Sequence, residues 1–216
     1  MNYSYKSINF YLKKYKLKDP WDLVDLFEKK VALYTGSKYG IAVDCCTNAI
    51  FLSLKYLNSK KKLLIPKNTY ISILSAITLA NYNFKFVKKE WSGSYQIEPL
   101  PIYDSATKFT KDMYVKKTYM CLSFHHRKHI QIGRGGMILT DSKKAYDWFK
   151  KARYDGRNLN INYKKDDFKI RGWHMYMTPE QATFGLELLK KFKDQKIDKA
   201  NHKSYKDISK YKKLYK

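Results

Sequence analysis

The chain has 216 residues, and 44% of them are hydrophobic, which is enough for one domain with a buried core. Lysine and arginine number 44 against 19 aspartates and glutamates, so the formal net charge is +25. Such a surface attracts anions, but a compositional bias towards lysine that only solvates the surface is the simpler interpretation. Three cysteines are too few for a disulfide framework or a zinc site, and neither an apolar run of about 18 residues nor a secretory signal is evident, so we expect a cytoplasmic protein without a membrane span.

The first predicted helix begins at Asp19, whose side chain can cap it, and at Pro20, which suits the first helical position. Apolar residues then recur at helical spacing until Gly36, a residue type that commonly ends helices. A short apolar run over residues 39–43 predicts a buried strand, and residues 47–57 predict the next helix.

Strands and helices continue to alternate through the rest of the chain. Strands are predicted over residues 63–65, 84–87, 101–103, 119–124 and 136–140, and helices over residues 69–80, 142–154 and 179–192. This alternation predicts a three-layer α/β/α domain around a mostly parallel sheet, with ligands bound at the carboxyl ends of the strands. We expect this domain to span residues 1–193 and to be followed by a basic helix or tail over residues 194–216.

A polar loop after the strand over residues 119–124 contains the first candidate for chemistry, Lys128. Gly133, Gly135 and Gly136 allow the backbone to turn tightly into the next strand. A lysine in such a loop can act as a nucleophile when burial or neighbouring positive charge removes its proton. Composition alone favours a solvated surface lysine, because lysine is abundant throughout the chain.

The same loop contains two histidines with the spacing of a metal-binding pair. His125 and His129 are four residues apart, which would bring them to one face of a helix. The glycines that follow and the strand that precedes argue against a helix, and no acidic ligand lies nearby. We therefore expect no metal site here.

Two further segments place polar groups just after predicted strands. Asp104 follows the strand over residues 101–103 and could pair with a ring nitrogen, a metal or a hydroxyl. Residues 44–50 join a strand to a helix, and the backbone N–H groups at a helix N-terminus bind phosphate well. Ordinary capping of that helix by Thr47 is the simpler alternative.

These segments occur together in the order that characterises one enzyme family. Residues 103–106 (Tyr-Asp-Ser-Ala) resemble the family's Glu-Asp-Ala-Ala, and residues 123–128 (Ser-Phe-His-His-Arg-Lys) resemble its Ser-Phe-x-x-x-Lys. Further similar segments lie at residues 27–39, 46–50, 65–70, 133–136 and 172–185. The chain resembles the DegT/StrS family of sugar aminotransferases, which depend on pyridoxal 5'-phosphate (PLP) and have the aspartate aminotransferase-like fold. It resembles a shortened member, with the small C-terminal domain largely missing.

The resemblance implies a role for each matching residue. Lys128 would form a Schiff base with PLP and carry protons during the reaction. Asp104 would pair with the protonated pyridine nitrogen, and Tyr70 would stack on the ring. The remaining cofactor-binding residues implied by the resemblance are Cys46, Thr47, Ser123, Thr107 and His174.

Several of these positions depart from the family pattern. Cys46 replaces a glycine of the phosphate turn, and Thr107 stands where a glutamine often contacts the cofactor hydroxyl. Arg134 replaces the glutamate of Gly-Glu-Gly-Gly. His174 replaces an asparagine that would reach the cofactor of a neighbouring subunit. The departures bear on substrate recognition more than on cofactor binding.

The resulting hypothesis is an aminotransferase that uses PLP to move an amino group, with glutamate as donor, to a keto-sugar linked to a nucleotide. The resemblance also implies a homodimer, because a second subunit completes such sites. Two alternatives stay open: a PLP-fold protein that has lost turnover and serves in binding or regulation, and a basic nucleic-acid-binding protein. No nucleic-acid motif accompanies the charge, and the tyrosines are scattered along the chain.

Overall fold

A computed structural model describes residues 7–194 and 196–214 of the chain. The helices are α1 (Ile8–Tyr15), α2 (Trp21–Thr35), α3 (Cys46–Leu57), α4 (Ser72–Ala80), α5 (Lys143–Ala152) and α6 (Pro179–Lys191). The strands are β1 (Tyr39–Val43), β2 (Leu63–Pro66), β3 (Phe84–Val87), β4 (Tyr95–Gln96), β5 (Ile102–Asp104), β6 (Tyr119–Ser123) and β7 (Gly136–Thr140). Among the described residues, no helix is long and apolar enough to cross a membrane.

Local capping chemistry explains where the predicted helices begin and end. Helix α2 ends at Gly36, whose φ of 79° is the left-handed conformation that glycine adopts without strain. Helix α6 begins with a capping box, in which Thr178 and Gln181 bond each other's backbone N–H, and with Pro179 at its first position. The predicted helices and strands are confirmed within a few residues, while α1 and the two-residue strand β4 were not predicted.

The sheet is mixed, whereas the sequence predicted a mostly parallel one. The larger sheet has the order β1-β7-β6-β5-β4, and β2 and β3 form a separate parallel pair. Within the larger sheet β5 and β6 are parallel, but the β1–β7, β6–β7 and β4–β5 pairs are antiparallel. Both β6–β7 and β4–β5 are joined by loops without a crossover helix, and such connections produce antiparallel neighbours. The predicted α/β class is confirmed.

The sheet separates two apolar layers, as a three-layer domain requires. Ile41, Cys121 and Ile138 face the layer that contains α3, α4 and α5. Ala42 and Leu122, which alternate with them along the strands, face the layer that contains α1, α2 and α6. Because both faces of the sheet are covered, the strand ends are the part of the sheet that remains available to ligands.

A buried ion cluster joins α2 to β1 and α5. The Glu28 carboxylate accepts hydrogen bonds from the backbone N–H of Ala42 at 2.8 Å and from Lys150 Nζ at 3.0 Å, and it pairs with the Arg153 guanidinium. Arg153 also donates to the Ala42 carbonyl. Glu28 and Arg153 are 3% and 2% exposed, so removal of either partner would leave an uncompensated buried charge.

The end of the chain differs from the predicted basic helix or tail. No α-helix follows α6 in the described residues; instead, single turns of 3-10 helix lie at His202–Ser204, Ile208–Lys210 and Lys212–Leu214. Residues 196–214, here called the return segment, run back over the domain, and the Ile208 side chain is 5% exposed within the core. Apolar packing and backbone hydrogen bonds hold this segment against the domain. Its lysines stay at the surface, where their charge is solvated. Parts of both predicted segments, namely residues 1–6, 195, 215 and 216, lie outside the described residues.

Candidate functional site

A cavity of roughly 520 Å³ opens at the carboxyl ends of β1, β5 and β6. The N-terminus of α3 forms one wall, and the loop between β6 and β7 forms another. The residues that line the cavity include Cys45, Cys46, Thr47, Thr69, Tyr70, Ser72, Trp91, Asp104, Thr107, Ser123, His125, Arg127, Lys128, Arg134 and Tyr205. The cavity therefore lies at the sheet edge where the strand pattern predicted a ligand site.

Asp104 ends strand β5 and presents a carboxylate to the cavity. The carboxylate accepts hydrogen bonds from the Tyr95 hydroxyl at 3.0 Å and from the backbone N–H of Ala106 at 3.0 Å. Tyr95 is fixed in turn by a 2.7 Å hydrogen bond to the Thr69 hydroxyl. Burial raises the pKa of Asp104, although these donors and the charge of Lys128 oppose the shift.

Lys128 lies in the loop between β6 and β7, and the loop is held closed by backbone hydrogen bonds. Phe124 N–H donates to the Gly135 carbonyl at 2.9 Å, and Gly133 N–H donates to the Phe124 carbonyl at 3.1 Å. Burial lowers the pKa of the Lys128 amine, and the nearby Asp104 carboxyl opposes this shift. The amine is therefore easier to deprotonate than that of an exposed lysine, as a nucleophilic lysine requires.

The start of α3 supplies polar groups at a helix N-terminus. The Cys45 thiol caps the helix by accepting a hydrogen bond from Asn48 N–H at 3.4 Å. The Thr47 hydroxyl bonds the Ser72 hydroxyl at 2.8 Å, which joins the starts of α3 and α4 at the cavity wall. A helix N-terminus with hydroxyl groups beside it is a favourable site for a phosphate group.

The site has the groups that PLP requires. The hydrogen-bond donors to Asp104 are uncharged, so its carboxylate can receive a protonated ring nitrogen. Lys128 offers an amine of lowered pKa in the same cavity, and the α3 N-terminus offers an anion site. The cavity volume falls in the range of small-molecule sites. The residues present therefore fit the cofactor.

The predicted site residues, with one exception, line this cavity. They are Cys46, Thr47, Tyr70, Asp104, Thr107, Ser123 and Lys128. The Thr107 hydroxyl donates to the Gly93 carbonyl at 3.0 Å, so its proton is engaged by the backbone. Tyr70 is 60% exposed at the rim.

The exception is His174, which lies outside the cavity of its own chain. The His174 ring bonds the Asp155 carboxylate at 3.1 Å and packs on Tyr154 and Tyr176. The side chain is 69% exposed, so it is accessible to another molecule. Its predicted role at the cofactor of a partner subunit stays a prediction.

The aromatic wall of the cavity was not predicted from the sequence. Trp91 and Tyr205 line the cavity, and neither belongs to a segment that resembles a known motif of the site. Arg127, Arg134 and His125 also line it; Arg134 forms an ion pair at 2.7 Å with the Asp44 carboxylate.

Comparison with known families agrees with the motifs. A sequence profile of the DegT/DnrJ/EryC1/StrS aminotransferase family matches residues 5–116 and 115–208. The chain is 34% identical over 98 residues to dTDP-3-amino-3,6-dideoxy-alpha-D-galactopyranose transaminase of Aneurinibacillus thermoaerophilus, covering 44% of this chain and 27% of that protein. It is 23% identical over 224 residues to the spore coat polysaccharide biosynthesis protein SpsC of Bacillus subtilis (strain 168), covering 79% of this chain and 57% of that protein.

Solved structures share the fold. Helicobacter pylori PseC, an aminotransferase involved in the biosynthesis of pseudoaminic acid, gives a TM-score of 0.63 at 14% identity, over 78% of this chain and 57% of that chain. The sugar aminotransferase CalS13 from Micromonospora echinospora gives a TM-score of 0.64 at 13% identity, over 78% of this chain and 60% of that chain. At these identities the likeness concerns the fold alone, and it confirms the predicted large-domain fold. The chain spans less than two thirds of the length of each of these relatives.

Proposed function

The chain belongs to the DegT/DnrJ/EryC1/StrS aminotransferase family, and we propose that its cavity binds PLP and transfers an amino group from glutamate to a nucleotide-linked keto-sugar. The observation that carries this proposal is the presence of Lys128 and Asp104 in one cavity beside the N-terminus of α3. A fold retained only for packing has no need of a partly desolvated amine and a partly buried carboxylate facing the same space.

PLP, when bound, supplies an electron sink that makes the carbon–hydrogen bond beside a substrate amino group acidic. The Asp104 carboxylate would hold the proton on the ring nitrogen, and its hydrogen bonds to Tyr95 and Ala106 N–H fix its direction. Lys128 Nζ would attach the cofactor to the protein and then, once released, take and return the proton at the reacting carbon. Its lowered pKa favours the neutral amine needed for both tasks.

The phosphate group would bind at the start of α3. Cys46 and Thr47 provide the backbone there, and the Thr47 and Ser72 hydroxyls lie 2.8 Å apart at the wall. Ser123, at the end of β6, adds another hydroxyl to the cavity. Tyr70, at the rim, would cover the exposed face of the cofactor ring.

Positive charge at the cavity supports an anionic substrate. Arg127, Arg134 and His125 line the cavity together with Lys128. Burial and the neighbouring cations lower the pKa of His125, which leaves the arginines as the permanent charges. A diphosphate link and the carboxylates of glutamate are both anions that arginine binds well. The sugar transaminase similar to this chain acts on a dTDP-linked sugar, as its name states.

We also propose that the enzyme is a cytoplasmic homodimer. The exposed His174, which lies outside its own cavity, is available to a second subunit. The thiols of Cys45, Cys46 and Cys121 are free, which suits a reducing compartment. Light scattering of the purified chain tests the dimer: a monomer that retains full transamination activity contradicts it.

The visible absorption spectrum of the chain with PLP tests the proposed function. We expect a cofactor band in the wild type that is absent in Lys128→Ala and retained in Lys85→Ala, which changes an exposed lysine on β3. Addition of glutamate should convert the band to that of the aminated cofactor. A Lys128-dependent band that glutamate leaves unchanged would favour a binding or regulatory protein, and the absence of any Lys128-dependent band would refute the proposal.

A further inference from the structure

The return segment forms part of the cavity wall through anchors at the end of β2. The Asn68 side-chain amide donates to the Tyr205 carbonyl at 3.0 Å, and Ile208 N–H donates to the Lys67 carbonyl at 2.8 Å. The Asp207 carboxylate pairs with Lys67 Nζ at 3.0 Å. These contacts fix the backbone at Tyr205 and in the three residues that follow it.

A second set of anchors joins the return segment to the residues before β4. His202 N–H donates to the Trp91 carbonyl at 3.0 Å, and Gly93 N–H donates to the Ala200 carbonyl at 3.0 Å. The Thr107 hydroxyl lies between the Gly93 and Ala200 carbonyls, at 3.0 and 3.3 Å. Two segments that are far apart in the sequence are thus bonded into one wall beside Asp104.

Two aromatic rings face the cavity from this wall. Tyr205 stacks on Trp91 with ring centroids 5.7 Å apart and an interplanar angle of 26°, and it lies 6.3 Å from the Tyr70 ring. Both Tyr205 and Trp91 line the cavity that contains Asp104 and Cys46. Burial raises the pKa of Tyr205, and the adjacent Asp104 acts in the same direction, so the phenol stays protonated and uncharged.

We propose that Tyr205 is a positioning residue of the cofactor site, whose ring, supported by Trp91, packs against the bound cofactor and excludes water from Asp104. This inference rests on the proposed function. A planar heterocycle gains from an aromatic wall, and exclusion of water strengthens the pairing between a ring nitrogen and a carboxylate. A β-bridge between Ser92 and Asn201 also joins the two segments of the wall, and such preorganisation lowers the ordering cost of binding.

Equilibrium titration of the full chain with PLP, followed by absorbance, tests this role. Tyr205→Leu keeps an apolar side chain but no ring face, Tyr205→Ala removes both, and Tyr205→Phe removes only the hydroxyl. Loss of a stacked aromatic contact corresponds to roughly threefold to tenfold weaker binding. We expect that loss in the Leu and Ala variants and near wild-type affinity in Tyr205→Phe. Tyr211→Ala is the matched control, because Tyr211 is an exposed tyrosine of the same segment outside the cavity.

The outcomes separate this inference from the proposed function. Wild-type affinity in Tyr205→Leu would overturn the role of the ring, and tighter binding in Tyr205→Ala would do so too, because Tyr205 would then obstruct the cavity. If Tyr205→Ala fails to fold, the comparison of the Leu and Phe variants decides, with thermal unfolding of the cofactor-free chains as the check. A wild type that lacks Lys128-dependent PLP binding would refute the proposed function, and this inference with it.

Discussion

Gly136 determines how closely β7 approaches the start of α3, and we predict that Gly136→Ala damages the cofactor site more than the fold. A Cβ at Gly136 would lie 2.4 Å from the carbonyl carbon of Cys45 and 2.6 Å from the backbone nitrogen of Cys46. Ordinary contact begins at 3.4 Å, so the turn must retreat by 3.4 − 2.4 = 1.0 Å. Because both contacts are backbone atoms, no side-chain rotation can relieve them.

The displacement falls on the proposed phosphate site. A misplacement of about 1 Å in a positioned site costs on the order of 100-fold in rate. Overpacking of this kind lowers the free energy of unfolding by about 1–3 kcal/mol, which leaves a folded domain when the wild type is of ordinary stability. We therefore expect Gly136→Ala to fold, to bind PLP more weakly than the wild type, and to transaminate on the order of 100-fold more slowly.

A core variant on the same strand provides the control. Leu139 on β7 is buried in the opposite apolar layer, and Leu139→Ala should cost about 2–5 kcal/mol of stability without touching the phosphate turn. PLP titration and urea unfolding of both variants separate affinity from stability. Wild-type PLP affinity in Gly136→Ala, or an equal loss of affinity in Leu139→Ala, would refute the reasoning.

Three other predictions concern charged side chains that are buried or partly buried. Glu28→Ala should lower the free energy of unfolding in urea by about 3–5 kcal/mol, because Arg153 stays buried without its carboxylate; a loss below about 1 kcal/mol would contradict this. The rate of PLP capture by Lys128 should rise with pH and level off below pH 10.5, because burial lowers the pKa of its amine and the neutral amine attacks; levelling at or above 10.5 in a stopped-flow profile would contradict this. Asp104→Asn removes a charge that raises the pKa of Lys128, so the pH profile of PLP capture should move to lower pH. Turnover with glutamate should fall on the order of 100-fold. A pH profile that moves to higher pH would show that the two groups are not coupled in this way.

The common location of the candidate site residues was predictable because they lie at strand ends or shortly after them. Asp104 ends β5, Lys128 follows β6, and Thr47 follows β1. The geometry of an α/β sheet brings such positions to one edge, so short local patterns are sufficient to place these residues in one site. The structure brings them to one cavity, as expected. Their assignment to individual roles came from the family resemblance.

The residues that close the cavity could not be predicted, because they meet through long-range contacts. The hydrogen bond between Trp91 and His202 spans 111 positions. No local pattern distinguishes Tyr205 from the many other tyrosines of a lysine-rich chain. The return segment was expected to be a helix or tail for the same reason. Its many lysines predicted a solvent-exposed segment, whereas a few anchoring side chains pack it against the domain.

The mixed sheet also could not be predicted from apolar periodicity. Apolar periodicity identifies a strand but not its direction, which depends on how the chain returns from its neighbour. The connection between β6 and β7 carries the Lys128 loop and no helix, so the two strands are antiparallel. The same connection brings Lys128 to the edge where β5 ends, so the departure from the predicted sheet is part of how the site is built.

Location of the covalently bound cofactor tests the central claim most directly. The chain is incubated with PLP, the bond between cofactor and amine is reduced with borohydride, and the modified peptide is identified by mass spectrometry. We predict that the reduced adduct lies on Lys128 at stoichiometric PLP. In Lys128→Ala, we expect no adduct on a neighbouring lysine. An adduct spread over exposed lysines, in equal amount in the wild type and in Lys128→Ala, would contradict the assignment of this cavity as a PLP site.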